Sequence, residues 1–351
     1  GITLDGSLDN SFNENIKMRF ESQGWNYINV ADGEETNDID QAIEKAKQSD
    51  KPTIIEIKTV IGKYSELQGT SDVHGSPLKK EDITNIKNKL SLRDLAFQPT
   101  KEAVELMQQS INDRCNELYE AWQKKYEELD KSLKKDLETI INYKDPIKLK
   151  DIIYDSPSDM KEATRASSGK ALNAISDIYP FLIGGSADVC KSTNAKINSS
   201  SAFSNNYPLG RNINFGIREH AMGAIANGIA LTGLTPFAST FFSFSDYLKP
   251  SIRMSALMDL PVIYVFTHDS ITVGEDGPTH QPVEQLISLR STPNLDVYRP
   301  ADANEVIGCY KAIFENRKPA AIVLGRNKVE INEFTNINET MNGGYILSKE
   351  R

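Results

Sequence analysis

Residues 261–269, Pro261-Val262-Ile263-Tyr264-Val265-Phe266-Thr267-His268-Asp269, are the stretch on which the fold turns. Six consecutive β-branched or aromatic residues behind a proline, with no polar alternation, predict a strand covered on both faces. Such strands belong to parallel sheets lying between two layers of helix. His268 and Asp269 then fall in the loop after the strand, where open α/β sheets gather their ligand-binding groups. Working outward, residues 181–185, 297–299 and 320–324 predict further strands. Residues 167–177, 219–231 and 247–258, and a segment from about Asn304, predict helices between them. This alternation, from Thr164 onward, predicts a doubly wound parallel sheet.

Toward the N terminus the pattern is again α/β. Residues 10–20 suit a helix, 25–30 alternate as a strand, 38–48 suit a helix, and Pro52 introduces a strand over 53–60. From Lys101 to Tyr143 apolar residues step by three or four: Val104, Met107, Ile111, Cys115, Leu118, Trp122, Tyr126, Leu129, Leu133, Leu137 and Ile140. That spacing predicts one long helix with a single buried stripe, a strut between two α/β domains. Lys144-Asp145-Pro146 ends it, and residues 151–159 read as linker.

The 351 residues carry a formal net charge of −9, which argues against nucleic acid or an anionic membrane as partner. Cys115, Cys190 and Cys309 are few, odd in number and far apart. They form neither a disulfide framework nor a zinc pattern, and a reducing, cytoplasmic setting is expected. No apolar run of about 18 residues and no basic-then-apolar leader is present in the sequence.

Chemistry concentrates in a few places. Residues 215–247 begin with Arg218-Glu219-His220, continue through the small residues 221–228, and end on Phe241, Phe244 and Tyr247. Small residues admit a backbone or flat ligand at close range. Glu219 reads either as an acid offsetting a helix dipole or as an acid exchanging a proton with a ring nitrogen. The loop 274–282 is stiffened by glycine and proline and carries Asp276 and His280. His74 and His268 also follow expected strands, and dispersed His and Asp suit a polyhydroxylated ligand. No zinc-type spacing links the histidines. Arg165, Arg299 and Arg326, with Ser192, are candidates for an anionic group, since guanidinium matches phosphate as a planar fork. No nucleotide-type phosphate loop is present.

These segments together resemble the transketolase family. GGSADVCKSTN (184–194), FGIREHAMGAIANG (215–228), FASTFFSFSDYLKPSIRMSALM (237–258), THDSITVGEDGPTHQPVEQ (267–285) and AIVLGRN (321–327) are similar to its pyrimidine-binding domain. KTVIGKYSELQGTSDVHGSPL (58–78) is similar to the end of its diphosphate-binding domain. The resemblance implies two doubly wound thiamine-diphosphate-binding domains joined by a long helix. Residues 1–98 would be the C-terminal part of the first, 99–155 the helix and linker, 156–335 the pyrimidine-binding domain, and 336–351 a tail toward a third.

The same resemblance implies roles. Glu219 would bond N1′ of thiamine diphosphate, and Phe241, Phe244 and Tyr247 would hold its aminopyrimidine. Leu4, Ile61 and Asp188 would contact the cofactor, with His74 beside the diphosphate and the reacting carbons. Arg165, Ser192, His268, Asp276, His280 and Arg326 would bind sugar hydroxyls and phosphate, and His74 and His280 would join Glu219 in catalysis. The Ile2 carbonyl would be one ligand to Mg²⁺ or Ca²⁺. The implied reaction passes a two-carbon ketol unit from a ketose phosphate (xylulose 5-phosphate type) to an aldose phosphate (ribose 5-phosphate type) through a thiamine diphosphate carbanion. It would belong to the pentose phosphate pathway and run in a homodimer with sites between subunits. The alternatives are dihydroxyacetone synthase, 1-deoxyxylulose-5-phosphate synthase, or a catalytically inert partial subunit. The family's G-D-G metal motif lies upstream of the part that Gly1 resembles. Ser71 stands where many members carry a second histidine.

Overall fold

The computed structural model describes residues 1–93, 96–149 and 160–349. It divides into two compact units, Gly1–Tyr119 and Glu120–Arg351.

In the first unit, strands Asn26–Val30 and Thr53–Ile57 pair in parallel, from Asn26 opposite Thr53 to Val30 opposite Ile57. The helix Thr36–Lys47 connects them and buries Ala42. This is the expected βαβ unit. The preceding helix is shorter than expected, Ile16–Ser22, because the Asn15 side chain caps it by accepting from the Met18 N–H at 2.9 Å. Residues Leu8–Asn10, inside or beside the expected helix, form a 3-10 turn instead. A two-residue hairpin, Ile2–Thr3 with Gly6–Ser7, opens the chain.

The single long helix expected over 101–143 is two, Lys101–Glu127 and Lys131–Ile141. The division between the two units falls inside the first of them. Asp130 makes the break: its Oδ1 accepts from the N–H groups of Ser132 and Leu133, at 2.9 and 3.0 Å, and so starts a new helix. The apolar stepping continues across the break, but a cap outweighs periodicity. Nor is the stripe buried on Lys101–Glu127, where Met107, Leu118 and Trp122 are exposed. The expected linker 151–159 lies outside the described residues.

The second unit is built on six parallel strands: β1 Leu182–Ser186, β2 Asn212–Asn214, β3 Thr235–Phe241, β4 Ile263–Thr267, β5 Asp296–Tyr298 and β6 Ala320–Leu324. Their order is β5-β6-β4-β3-β1-β2. Every residue of β4 is buried. Ile263 and Val265 enter one core with Leu172, Ile175, Phe237 and Tyr310, while Tyr264 and Phe266 enter another with Met222, Ala226, Leu248 and Leu289. The two-faced strand read from residues 261–267 thus organises both cores. At about 1.5–3 kcal/mol per large buried apolar side chain, β4 is a major contributor to the unit's stability.

Helix Thr164–Ile178 packs on one face with Ala303–Asn316, which starts at Asp302, whose Oδ1 accepts from Glu305 N–H at 3.1 Å. Helices Glu219–Leu231 and Ser245–Met258 pack against each other. The small residues of the former are explained first by this packing: a Cβ on Gly223 would lie 2.7 Å from the Ser251 Cβ. Asn227 Nδ2 also donates to the Ser251 carbonyl at 2.9 Å. Gly228, by contrast, faces open space. Arg317, nearly fully buried, donates from Nε to the Tyr143 carbonyl at 2.8 Å and from Nη2 to Thr235 Oγ1 at 3.0 Å, tying the segment after Lys131–Ile141 to β3. Past Arg326 the chain is less featureless than its composition suggests. Lys328–Glu330 pairs antiparallel with Lys161–Ala163, and Ile337–Thr340 packs on Ala303–Asn316 at Gly308.

Candidate active site at the carboxyl ends of the strands

From β1 the chain passes to β2 on one side and then to β3 on the other, so the sheet has a switch point between β1 and β3. Crevices form at the carboxyl ends beside such points. Asp188 follows β1, Phe241 ends β3, His268 follows β4 and Arg326 follows β6. Arg165, at the start of Thr164–Ile178, joins them because its N–H donates to the Gly325 carbonyl at 3.3 Å. The Gly325 N–H in turn donates to Thr164 Oγ1 at 2.7 Å.

A cavity of about 390 Å³ results, lined by Arg165, Lys191, Ser192, Phe241, His268, Asp276, His280 and Arg326. All six residues named from the sequence as substrate-binding candidates meet there. Two guanidiniums dominate its charge. Arg165 Nη1 donates to the Ser192 carbonyl at 2.7 Å. Arg326 Nη1 donates to the Val273 carbonyl at 2.7 Å, and its Nη2 pairs with Glu275 at 3.2 Å. Burial, and then the Arg326 charge, lower the pKa of Arg165. A site that burdens a guanidinium in this way favours an anion.

His268 is buried, with a left-handed φ of 60°. Its Nε2 lies 3.4 Å from Arg165 Nη1 and its Nδ1 lies 2.8 Å from Thr267 Oγ1. Guanidinium has only N–H groups to offer, so Nε2 accepts and the ring proton resides on Nδ1. Burial first, then the charges of Arg165 and Arg326, push the His268 pKa down to about 4, and the ring is neutral at pH 7.

Phe241 faces both ways. Its ring centroid is 3.9 Å from that of His268 on one side and 6.0 Å from that of Phe244, near-parallel, on the other. Tyr247 continues the row at 6.2 Å from Phe244, and His280 stands edge-on to Phe244 at 5.1 Å. Phe241 and Phe244 are half-buried and Tyr247 is exposed, which makes an aromatic shelf open to a ligand. Glu219 is the first residue of its helix and is half-buried. Its Oε1 accepts from Thr240 Oγ1 at 3.5 Å, a long bond that leaves the carboxylate with acceptor capacity to spare. Asp188, with φ of 62°, lines a second cavity of about 340 Å³ with Ser186, Lys191, Ser192, Asn214 and Gly216. Lys191 and Ser192 border both cavities.

The remaining candidates sit in the first unit. Ile2 is in the hairpin and Leu4, 67% exposed, at its turn. The Ile61 carbonyl accepts from Gly69 N–H at 2.8 Å, and exposed His74 follows the 3-10 turn Ser71–Val73. No hydrogen bond or ring contact among the described residues joins these four. Arg299 is corrected: it donates from Nε and Nη2 to Asp269 Oδ2, at 3.3 and 2.8 Å, as an ion pair outside the cavity. Sequence reasoning missed Lys191, Thr267 and Thr240. Their adjacency to Ser192, His268 and Phe241 was the only signal. Among the described residues no cluster of three or more His, Cys, Asp or Glu side chains has the arrangement of a metal site. No helix of the described residues is long and apolar enough to cross a membrane.

Two family models match the chain: "Transketolase, thiamine diphosphate binding domain" over residues 1–146, and "Transketolase, pyrimidine binding domain" over residues 160–331. Among curated proteins it is 42% identical over 342 residues to the transketolase of Staphylococcus aureus (strain MW2), covering 94% of this chain and 51% of that protein. Among solved structures it is similar to transketolase from Leishmania mexicana, with a TM-score of 0.90 and 34% identity over 99% of this chain and 53% of that one. It is likewise similar to transketolase from Pichia stipitis in complex with sedoheptulose 7-phosphate, with a TM-score of 0.87 and 36% identity over 100% of this chain and 54% of that one. The chain therefore spans about half the length of the relatives it matches. With both domain models matched in succession over most of its length, it belongs to the transketolase family.

Proposed function

We infer that the protein containing this chain is a transketolase, a transferase that moves a two-carbon ketol unit from a ketose phosphate of the xylulose 5-phosphate type to an aldose phosphate of the ribose 5-phosphate type. One observation carries the reading: Phe241 belongs at once to an aromatic shelf and to a cavity lined by two guanidiniums, and the Glu219 carboxylate accepts from the adjacent Thr240. A planar cofactor on the shelf and a sugar phosphate in the cavity would then be neighbours.

The residues fit thiamine diphosphate at its pyrimidine end. The shelf is open, and the Glu219 carboxylate is only weakly engaged by Thr240. Phe241, Phe244 and Tyr247 would hold the ring, and Glu219 would hold and exchange the proton at N1′. When bound, the cofactor supplies the nucleophilic carbon and the electron sink needed to cleave a C–C bond beside a carbonyl. Asp188, Leu4, Ile61 and His74 are proposed as further contacts to it. In the cavity, Arg165, Arg326 and Ser192 would hold the substrate phosphate. Asp276, His280 and neutral His268 would orient the sugar hydroxyls, and His280 and His74 would assist proton movement. A neutral His268 suits this task, since a third positive ring would orient hydroxyls no better and would repel both guanidiniums.

Mg²⁺ or Ca²⁺ enters this reading only through the family, with the Ile2 carbonyl as one proposed ligand. The described residues hold no cluster of His, Cys, Asp or Glu fit for a metal. A cytoplasmic homodimer in the pentose phosphate pathway completes the reading. Exposed Ile225 and Leu231 on one helix, and Met254 and Leu257 on the next, support self-association. The test is to supply the protein that contains this chain with thiamine diphosphate, Mg²⁺, xylulose 5-phosphate and ribose 5-phosphate. Sedoheptulose 7-phosphate is the expected product, and its absence in a folded, cofactor-loaded protein would refute the reading.

A further inference from the structure

Lys191 is the residue of the cationic cavity with no assigned work. It lies on the short helix Cys190–Thr193, one position before Ser192, and borders both the 390 Å³ cavity and the 340 Å³ cavity beside Asp188. The other two cations are committed. Arg165 is spent on the Ser192 carbonyl and His268, and Arg326 on the Val273 carbonyl and Glu275. Among the described residues, Lys191 makes neither a hydrogen bond nor an ion pair, although Asp188 and Asp276 line the same two cavities. A flexible, exposed ammonium with three free donors at the rim of a pocket already holding two guanidiniums is poorly placed for stability.

We propose that Lys191 is a third anion-binding group of this cavity, and that it sets how strongly a phosphorylated ligand is preferred over an unphosphorylated one. The proposal rests on the reading of the cavity as the phosphate end of a sugar-phosphate site. An incoming phosphate dianion would offset the repulsion between Arg165 and Arg326 and gain from Lys191 donors that the engaged faces of the two guanidiniums do not supply. Lysine acts here as a point charge rather than a planar fork, so it adds attraction without fixing orientation. The short helix makes the arrangement coherent. Its Ser192 carbonyl anchors Arg165, and its next residue back presents the free ammonium, so one turn sets the spacing of two of the three cations.

The test titrates inorganic phosphate into the complete protein and follows the amide and side-chain NMR signals of the cavity. Lys191→Gln should weaken phosphate binding by about three- to tenfold, the range for one partly exposed charge contact, while Lys191→Arg should retain it. Lys196→Gln, a neighbouring exposed lysine outside both cavities, serves as the control for general charge. Equal weakening by the Lys191 and Lys196 variants, or none in either, would overturn the proposal. In the complete protein, Lys191→Gln should lower the preference for ribose 5-phosphate over glycolaldehyde as acceptor by the same factor. An unchanged preference would also overturn it. The phosphate titration needs no turnover, so it decides the role of Lys191 even if two-carbon transfer itself is not observed.

Discussion

His268 should titrate far below an ordinary histidine, and the consequence for stability can be worked from its surroundings. Burial and the charges of Arg165 and Arg326 lower its pKa from 6.5 to about 4. That difference corresponds to about 3 kcal/mol between the protonation states in the folded and unfolded chain. The fold refuses a proton that the unfolded chain accepts. The contribution is therefore complete above about pH 6.5, is lost progressively as the pH falls toward 4, and changes little below that. About 3 kcal/mol is a large share of the 5–15 kcal/mol typical of a folded domain. The assay is a two-dimensional NMR titration of the four imidazoles, paired with urea midpoints at pH 7, 5.5 and 4.5. Arg165→Met should raise the His268 pKa, but only part of the way to 6.5, because burial is the larger cause. His268→Asn, which tolerates the left-handed φ, should flatten the fall in stability between pH 6.5 and 4. A His268 imidazole titrating near 6.5, or an identical pH dependence in wild type and His268→Asn, would refute the reasoning.

Three further outcomes follow from packing and charge. Gly185→Ala would place a Cβ 1.9 Å from the Ile213 carbonyl oxygen on β2, and should destabilise the second unit by about 2–4 kcal/mol, read as a lower urea midpoint. Asp130→Ala should cost about 1 kcal/mol and raise amide exchange across Lys131–Ile141 while leaving β4 protected. Arg326→Gln in the complete protein should raise KM for ribose 5-phosphate about 10- to 100-fold, with a smaller effect on glycolaldehyde as acceptor. Equal effects on the two acceptors would remove Arg326 from the phosphate end of the cavity.

The sheet was legible in its most apolar strands, but β3, equally covered on both faces, was not read as a strand because Pro236, Ser239 and Thr240 interrupt its apolar run. Residues 320–324 and 261–267 need no tertiary information, because a covered parallel strand has no reason to alternate. The helix Glu219–Leu231 was equally clear in its limits, but the purpose of its small residues was not. Gly223 serves the packing of Ser245–Met258, a partner that no local pattern identifies. The break at Asp130 was hidden because the 3.6-residue stepping runs through it, whereas the cap depends on one side chain folding back on two N–H groups. Arg299 and Arg326 look alike in sequence, each closely following a strand. Each is paired with a carboxylate, Arg299 with Asp269 and Arg326 with Glu275; what separates them is that Arg326 lines the cavity and Arg299 does not. The site's composition was thus readable from motif-length segments, and its charge balance was not, since that depends on which cations the fold leaves without partners.

The central claim is that Glu219 exchanges the cofactor proton beside the aromatic shelf, and the substitution Glu219→Gln tests it most directly. It keeps the shape and the acceptor oxygen facing Thr240 but removes the exchangeable proton. The measurement is sedoheptulose 7-phosphate formation by wild-type and variant complete protein, both saturated with thiamine diphosphate and Mg²⁺ and both shown to be folded by circular dichroism. The account predicts that turnover falls by about 10²- to 10⁴-fold in the variant. Turnover within a few-fold of wild type would contradict it.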